Sequence, residues 1–167
     1  SIDVGVTRQG FVGDSAVTVA IGEVPERTKE LLRTCQASLH AAVQASQAGG
    51  RLGDIGAAVQ GVVEGAGFAV VRDLVGHGVG RAMHEDPQVR NYGEPGTGPE
   101  LKPGTTLAIE PMITDGSYEI HVDDDGWSIF TVDDSLAAHF EHTVAITEDG
   151  PRILTLANGA SIVDRPI

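Results

Sequence analysis

Residues 76–87 read GHGVGRAMHEDP and place two histidines, His77 and His84, seven positions apart in a glycine-rich stretch. Glycines on both sides of His77 remove neighbouring side chains, as a crowded binding site requires. The same pattern also suits a tight turn that carries a surface histidine. The stretch therefore predicts either a ligand-binding segment or an ordinary turn, and the choice depends on acidic residues elsewhere in the chain.

The composition indicates one globular domain, which we expect to extend over residues 1–167. The net charge is −13, which argues against nucleic acid or an anionic membrane as a partner, because both bind clustered Lys and Arg. No apolar run approaches the roughly 18 residues needed to span a bilayer.

Cys35 is the single cysteine, so an internal disulfide is excluded and a reducing, cytoplasmic location is expected. Its helical spacing with neighbouring leucines predicts a core residue.

Hydrophobic periodicity predicts an α+β fold with a mainly antiparallel sheet. Residues 1–21 are predicted to form two strands joined by a turn. The first helix is expected to begin at Pro25, and the second to cover about 53–66. A long loop is predicted over 87–104, because this segment is rich in Gly and Pro. Further strands are expected in the segments TTLAIEPMI, YEIHV, WSIFTV and AAHFEHTVAIT.

Four carboxylates interrupt apolar strand patterns, namely Asp3, Asp14, Glu110 and Glu141. Taken singly, each is more often an outward-facing strand residue. A hairpin around residues 8–10 places Asp3 and Asp14 on neighbouring strands, so both can lie on one sheet face. Two like charges there repel each other unless a cation lies between them. Together with one imidazole, the carboxylates predict a site for Mn²⁺, Fe²⁺, Co²⁺ or Zn²⁺, and so many acidic ligands favour two ions over one.

The motifs GHGVGRAMHEDP, LKPGTTLAIEPMI, DGW and FEHTVAIT, in this order, resemble those of type I methionine aminopeptidases. The resemblance covers essentially the whole chain. It implies the pita-bread (creatinase/aminopeptidase-like) fold, with a mainly antiparallel curved sheet and helices packed on its outer face. It also implies a metallopeptidase that removes the N-terminal methionine from newly made polypeptides, using water activated by two divalent metal ions (Co, Mn, Fe or Zn).

The resemblance also assigns the metal ligands. It implies that Asp3 chelates one ion and that Asp14 and Glu141 bridge both ions. His77 and Glu110 are then implied to hold the other ion.

Catalytic and substrate-binding roles follow from the same resemblance. Glu110 is implied to act as general base and to carry a proton to the leaving amine. His84 is implied to donate a hydrogen bond to the scissile amide. His77, His84, Met83 and Trp127 are the implied substrate-binding residues, with Met83 and Trp127 lining the methionine pocket. The remaining histidines are predicted to be structural, with His142 at most supporting the ligands: His40, His121, His139 and His142.

The resemblance begins abruptly, because only Ser1 and Ile2 precede Asp3, whereas the family carries a further portion ahead of the first aspartate. We therefore expect the N-terminal part of the catalytic domain to be missing from this chain. The expected partners are peptides and the N-termini of nascent polypeptides, with the ribosome as a further candidate. Neither nucleic acid nor a membrane is expected as a partner.

Two alternatives to a methionine aminopeptidase stay open at this stage. Another pita-bread peptidase, such as an X-Pro aminopeptidase or prolidase, shares the five ligands but usually differs in its histidine spacing and N-terminal domain. A non-catalytic binding module on the same fold is the other alternative. Such relatives typically lose ligands, whereas this chain retains all five.

Overall fold

The computed structural model describes residues 1–156, so residues 157–167 of the predicted domain lie outside it. Two helices, α1 (Glu26–Ala45) and α2 (Leu52–Gly65), pack against each other and against the β-structure. Every strand pairing in the described range is antiparallel. The predicted α+β class is therefore confirmed.

Twelve strands form four sheets within residues 1–156. In chain order they are β1 (Ile2–Arg8), β2 (Phe11–Val17), β3 (Ala69–Val70), β4 (Gly76–Gly78), β5 (Glu85–Val89), β6 (Thr106–Ile109), β7 (Met112–Thr114), β8 (Ile120–Val122), β9 (Ile129–Thr131), β10 (Ala137–His139), β11 (His142–Thr147) and β12 (Gly150–Ile153). Two sheets are the hairpins β1–β2 and β8–β9. A three-stranded sheet has the order β10-β7-β3, and a five-stranded sheet has the order β12-β11-β6-β4-β5.

Helix α1 buries one apolar stripe against the sheets. Leu31, Cys35 and Leu39 recur at helical spacing and are all buried. The thiol of Cys35 donates to the carbonyl of Pro111 at 3.3 Å, and burial raises the pKa of this thiol. Cys35 is thus a core residue, as predicted. Among residues 1–156, no helix combines the length and the apolar character needed to cross a bilayer.

The strand that precedes Glu110 ends at Ile109, contrary to the prediction of one continuous strand over LAIEPMI. Pro111 has no N–H to give to a neighbouring strand, so the ladder is interrupted before β7 begins at Met112. Glu141 lies at a second break, between β10 and β11. Both glutamates therefore lie where the chain crosses between the three-stranded and the five-stranded sheet.

The loop predicted over 87–104 starts later than expected. Strand β5 continues to Val89 and pairs with β4, although it contains Pro87. Because β5 is the edge strand of the five-stranded sheet, a residue without an N–H is tolerated there.

Two further strands, β4 and β12, are absent from the sequence prediction, and β2 ends at Val17 rather than near residue 21. Short strands of this kind carry too few residues for their periodicity to be recognised.

Candidate metal centre

The β1–β2 hairpin places two of the predicted ligands on one face. Asp14 lies opposite Gly5, and Asp3 lies opposite Ala16. Because side chains alternate along a strand, Asp3 shares a face with Gly5, and Asp14 shares it with Ala16. The two carboxylates therefore point to the same side of the hairpin, as the spacing predicted. Asp3 is exposed, whereas Asp14 is buried.

Four hydrogen bonds fasten β2 to the start of β11. The N–H of Asp14 donates to the hydroxyl of Thr143 at 2.9 Å, and this hydroxyl donates to the carbonyl of Asp14 at 2.8 Å. The N–H of Glu141 donates to the carbonyl of Ala16 at 2.9 Å. The hydroxyl of Ser15 donates to the carbonyl of Glu141 at 3.1 Å. These bonds fix the backbones that carry the Asp14 and Glu141 carboxylates next to each other.

The glycines that flank His77 allow close packing of three strands. A Cβ atom at Gly76 would collide with the carbonyl oxygen of Ala108 on β6. One at Gly78 would collide with the carbonyl oxygen of Asp86 on β5. The glycines therefore let β4 lie between its two neighbours.

A cavity of about 360 Å³ is lined by all five predicted metal ligands. The ligand atoms of Asp14, His77 and Glu141 lie within 4.8 Å of one another. Nε2 of His77 is 3.3 Å from Oε1 of Glu110 and 3.8 Å from Oδ2 of Asp14. Asp3 completes the acidic wall of the cavity. The structure thus brings together every residue that the sequence singled out as a ligand.

Nε2 of the His77 imidazole faces these carboxylates. Its Nδ1 is 2.9 Å from the carbonyl oxygen of Gly78, which can only accept, so Nδ1 carries the hydrogen. In the neutral ring, Nε2 is then an acceptor that faces the oxygens of Glu110 and Asp14. Acceptors in this arrangement repel unless a proton or a metal cation lies between them. A histidine that binds a metal usually donates its other N–H to a carbonyl or a carboxylate.

Burial and mutual repulsion raise the pKa values of the carboxyl groups. For Glu141, burial and then the charges of Glu110, Asp14 and Asp3 raise the pKa to about 9. For Glu110, burial and the two aspartates raise the pKa to about 8. Burial, followed by the charge of Asp3, also raises the pKa of Asp14. Oε1 of Glu141 is buried and has no hydrogen-bond partner among the described residues. A divalent cation would satisfy this oxygen and neutralise the repulsion, so the donor set fits such an ion.

His84 lines the cavity of the predicted ligands, whereas Met83 and Trp127 do not. The rings of His77 and His84 have centroids 4.4 Å apart and are inclined by 66°. His84 is exposed, and the methyl group of Met83 lies against Gly5 of β1. Trp127 is 87% exposed at the turn between β8 and β9 and does not line the cavity. Of the three predicted neighbours, only His84 lines the cavity, Met83 contacts β1 next to it, and Trp127 lies on the exposed hairpin.

His139 lies in the cavity, contrary to the expectation of a structural role only. Its Nε2 is 3.6 Å from Oε2 of Glu110, and burial lowers the pKa of the ring. The sequence contained a usable signal, because His139 and Glu141 are two positions apart in a strand-like segment and so share a face. The other three histidines with predicted structural roles do not line this cavity: His40, His121 and His142.

Residues 1–148 match the profile of metallopeptidase family M24, and the chain belongs to this family. Its similar relatives include the methionine aminopeptidase of Clostridium perfringens, which is 49% identical over 156 residues. That match covers 93% of this chain and 63% of the relative. The crystal structure of methionine aminopeptidase from Thermotoga maritima has a TM-score of 0.91 and 54% identity, covering 93% of this chain and 62% of that one.

The solved structure of a prolidase from Pyrococcus horikoshii is more distant. It has a TM-score of 0.72 and 24% identity, covering 93% of this chain and 39% of that one. This likeness shows a shared fold alone. The pita-bread fold and the resemblance to bacterial type I methionine aminopeptidases, both expected from the motifs, are thereby confirmed. The chain spans about 62% of the length of the methionine aminopeptidases that it matches.

Proposed function

We propose that this chain carries the active site of a metal-dependent aminopeptidase that removes the N-terminal methionine from newly made polypeptides. The observation that carries the proposal is the convergence of five ligand side chains in one cavity, next to an exposed histidine, His84. The relatives named as methionine aminopeptidases support the choice of substrate. We further propose that residues 1–167 belong to one catalytic domain, since the buried residues form a continuous core cluster.

The donor set fits two divalent cations, with Co, Mn, Fe and Zn as the candidates. In this proposal the ions would be held by Asp3, Asp14, His77, Glu110 and Glu141, with Asp3 serving one ion and His77 and Glu110 the other. Such cations, when bound, act as Lewis acids that lower the pKa of water and stabilise negative charge.

Two side chains take part directly in the proposed reaction, one by transferring a proton and the other by donating a hydrogen bond to the peptide. Glu110, which lines the same cavity, accepts the proton of the attacking water in this proposal and delivers it to the leaving amine. His84 projects from the segment before β5 into the mouth of the same cavity. Its imidazole donates a hydrogen bond to the carbonyl oxygen of the scissile bond, where negative charge develops.

The proposed substrate-binding residues are His77, His84, Met83 and Trp127. His77 lies between His84 and the carboxylates, and Met83, which contacts Gly5 of β1, is the proposed wall of the methionine pocket. The roles of Met83 and Trp127 in this pocket rest on the family resemblance, because neither side chain lines the cavity. The proposed substrates are nascent polypeptides in the cytoplasm, and the ribosome is the proposed macromolecular partner.

The proposal is tested by peptide hydrolysis with the metal-loaded protein. Met-Gly and Met-Ala peptides are compared with Ala-Pro and Leu-Gly peptides, with and without a chelator. We expect cleavage of the methionyl peptides alone, and its loss on chelation. Preferential cleavage of the Ala-Pro peptide would instead assign a prolidase-like activity. Metal binding without cleavage of any peptide would indicate a binding module.

A further inference from the structure

The backbone of His139 is held rigidly at the end of β10. The hydroxyl of Thr18 donates to the carbonyl of His139 at 2.9 Å and accepts from its N–H at 2.9 Å. The next N–H, of Phe140, donates to the carbonyl of Pro111 at 3.4 Å, directly after Glu110. His139 and Glu110 are thus carried by two chain segments that are bonded to each other at the crossing between the sheets.

The ring of His139 has an unused polar atom that faces Glu110. Its Nε2 is buried and has no hydrogen-bond partner among the described residues. The nearest ionisable partner is Oε2 of Glu110, at 3.6 Å. The other oxygen of the same carboxylate, Oε1, is 3.3 Å from Nε2 of His77. Two imidazoles therefore bracket one carboxylate, with one ring next to each oxygen.

We propose that His139 is a positioning residue for Glu110, with its Nε2–H donating to Oε2 and thereby directing Oε1 towards His77. This inference rests on the proposed role of Glu110 as a metal ligand. The terminal torsion of a glutamate is broad, so a carboxylate held at one oxygen only can rotate. Carboxylates that bind metals are themselves hydrogen-bonded, and loss of the supporting partner weakens metal binding or activity. A small closure of the 3.6 Å separation brings the pair into hydrogen-bonding range.

Two other roles for His139 give different results. As a further metal ligand, it would add one imidazole to the donor set, and its replacement by any residue without a metal-binding nitrogen would remove that donor. As a substrate contact, it would affect peptide binding without affecting the metal, since it also borders an apolar cleft that includes Ile129 and Phe130. If His139 only positions Glu110, the side-chain amide N–H of a glutamine should be able to replace the imidazole N–H.

The test compares His139→Leu, which removes the donor, with His139→Gln, which keeps an N–H donor. His121→Leu, at an exposed position on β8, is the matched control. Binding of Zn²⁺ alone is measured by competition with a chelator, and kcat and KM are measured with a Met-Ala peptide. We expect His139→Leu to lose about 10- to 100-fold in Zn²⁺ affinity and to lower kcat with little change in KM. His139→Gln and the control should remain within about threefold of the unaltered protein.

A double-variant cycle separates positioning from general damage to the fold. In a Glu110→Gln background, His139→Leu should change Zn²⁺ affinity by less than about twofold, because the group on which it acts is already altered. The proposal would be overturned if the effects of Glu110→Gln and His139→Leu on Zn²⁺ affinity were fully additive. It would also be overturned if His139→Leu kept the Zn²⁺ affinity of the unaltered protein. A rise in KM alone would show a substrate contact instead. Loss of one ion per chain in both His139 variants would show a metal ligand. Zn²⁺ affinity is measured without peptide. A protein without the proposed aminopeptidase activity would therefore still show whether His139 supports Glu110.

Discussion

Nε2 of His77 and Oε1 of Glu110 face each other at 3.3 Å as two acceptors whenever the ring is neutral and the carboxyl group is ionised. A proton on Glu110 would satisfy both atoms in the metal-free protein, and burial and the charges of Asp3 and Asp14 raise the pKa of Glu110 to about 8. A divalent cation can take the place of this proton. Protons and metal ions therefore compete for one set of atoms.

The stability of the metal-free protein should fall as the pH rises from about 5 to 9. Glu110 and Glu141 have folded-state pKa values of about 8 and about 9, above their ordinary value of 4.5. In this window the folded state retains protons that the unfolded state has lost, so the free energy of unfolding decreases with increasing pH. Urea unfolding in the presence of a chelator, at several pH values, measures this slope.

The variant Glu141→Gln provides the control for this pH dependence, because it removes one of the two titrating groups. Its stability should depend less on pH than that of the unaltered protein. Saturating Zn²⁺ should flatten or reverse the slope, since the ion binds the ionised carboxylates. A metal-free protein whose stability is unchanged between pH 5 and 9 would contradict the raised pKa values of Glu110 and Glu141.

Replacement of Glu110 by Gln should lower both metal retention and activity. The change removes a charge from the ligand set and also removes the group that carries the proton. Glu119→Gln, at an exposed position, changes the same kind of side chain away from the cavity and should have no effect. Metal content after dialysis and kcat on a Met-Ala peptide are the two measurements. Retention of full metal content by Glu110→Gln would exclude Glu110 as a ligand.

Replacement of His84 by Ala should separate catalysis from metal binding. His84 is exposed and stacks edge-on against His77, so we expect metal content to stay near normal. Loss of a hydrogen bond to the developing oxyanion should lower kcat by about 10²- to 10³-fold. His121→Ala serves as the control for loss of an exposed imidazole. If His84→Ala releases the metal, His84 is a ligand and its assignment as a donor is wrong.

The sequence predicted the fold class, and the five side chains that share one cavity, more reliably than the strand boundaries. Asp3 and Asp14 could be placed on one face because a short hairpin leaves a single register with that alternation. The crossings at Glu110 and Glu141 could not be predicted, since apolar residues continue through both breaks and only Pro111 interrupts the pattern. These crossings depend on which sheet the segments before and after each glutamate join. Pairing with strands that are distant in the sequence decides that.

His139 and Trp127 are the two residues whose positions in the structure differ most from what the sequence suggested. The contact of His139 with Glu110 is made across the two sheet crossings, which the pattern of one strand does not contain. Trp127 was assigned from its motif, but its position on an exposed hairpin depends on how β8 and β9 pack. A motif identifies residue types, whereas packing decides which of them meet.

The 167-residue chain on its own should associate in solution through the outer face of its first hairpin. Val4, Val6 and Phe11 are 51%, 57% and 56% exposed there, and within residues 1–156 strand β1 pairs only with β2. An exposed strand edge beside apolar surface promotes association. Light scattering after gel filtration should show oligomers whose size increases with concentration.

The double variant Val4→Lys/Val6→Lys should reduce this association, because lysines on an edge strand oppose pairing between chains. Val122→Lys is the matched control, since Val122 is 58% exposed on the separate β8–β9 hairpin. A chain that is monomeric at every concentration would contradict the prediction. So would equal loss of association in the control and the double variant.

Anomalous diffraction from crystals grown with Co²⁺ or Zn²⁺ tests the central claim most directly. We expect a peak with Nε2 of His77 and carboxylate oxygens of Asp14, Glu110 and Glu141 among its nearest atoms, at about 2.0–2.2 Å. The proposal of a dinuclear centre further predicts a second peak about 3.5–4 Å from the first, next to Asp3. Absence of any peak among these side chains at saturating metal, with the ion bound elsewhere or not at all, would contradict the account.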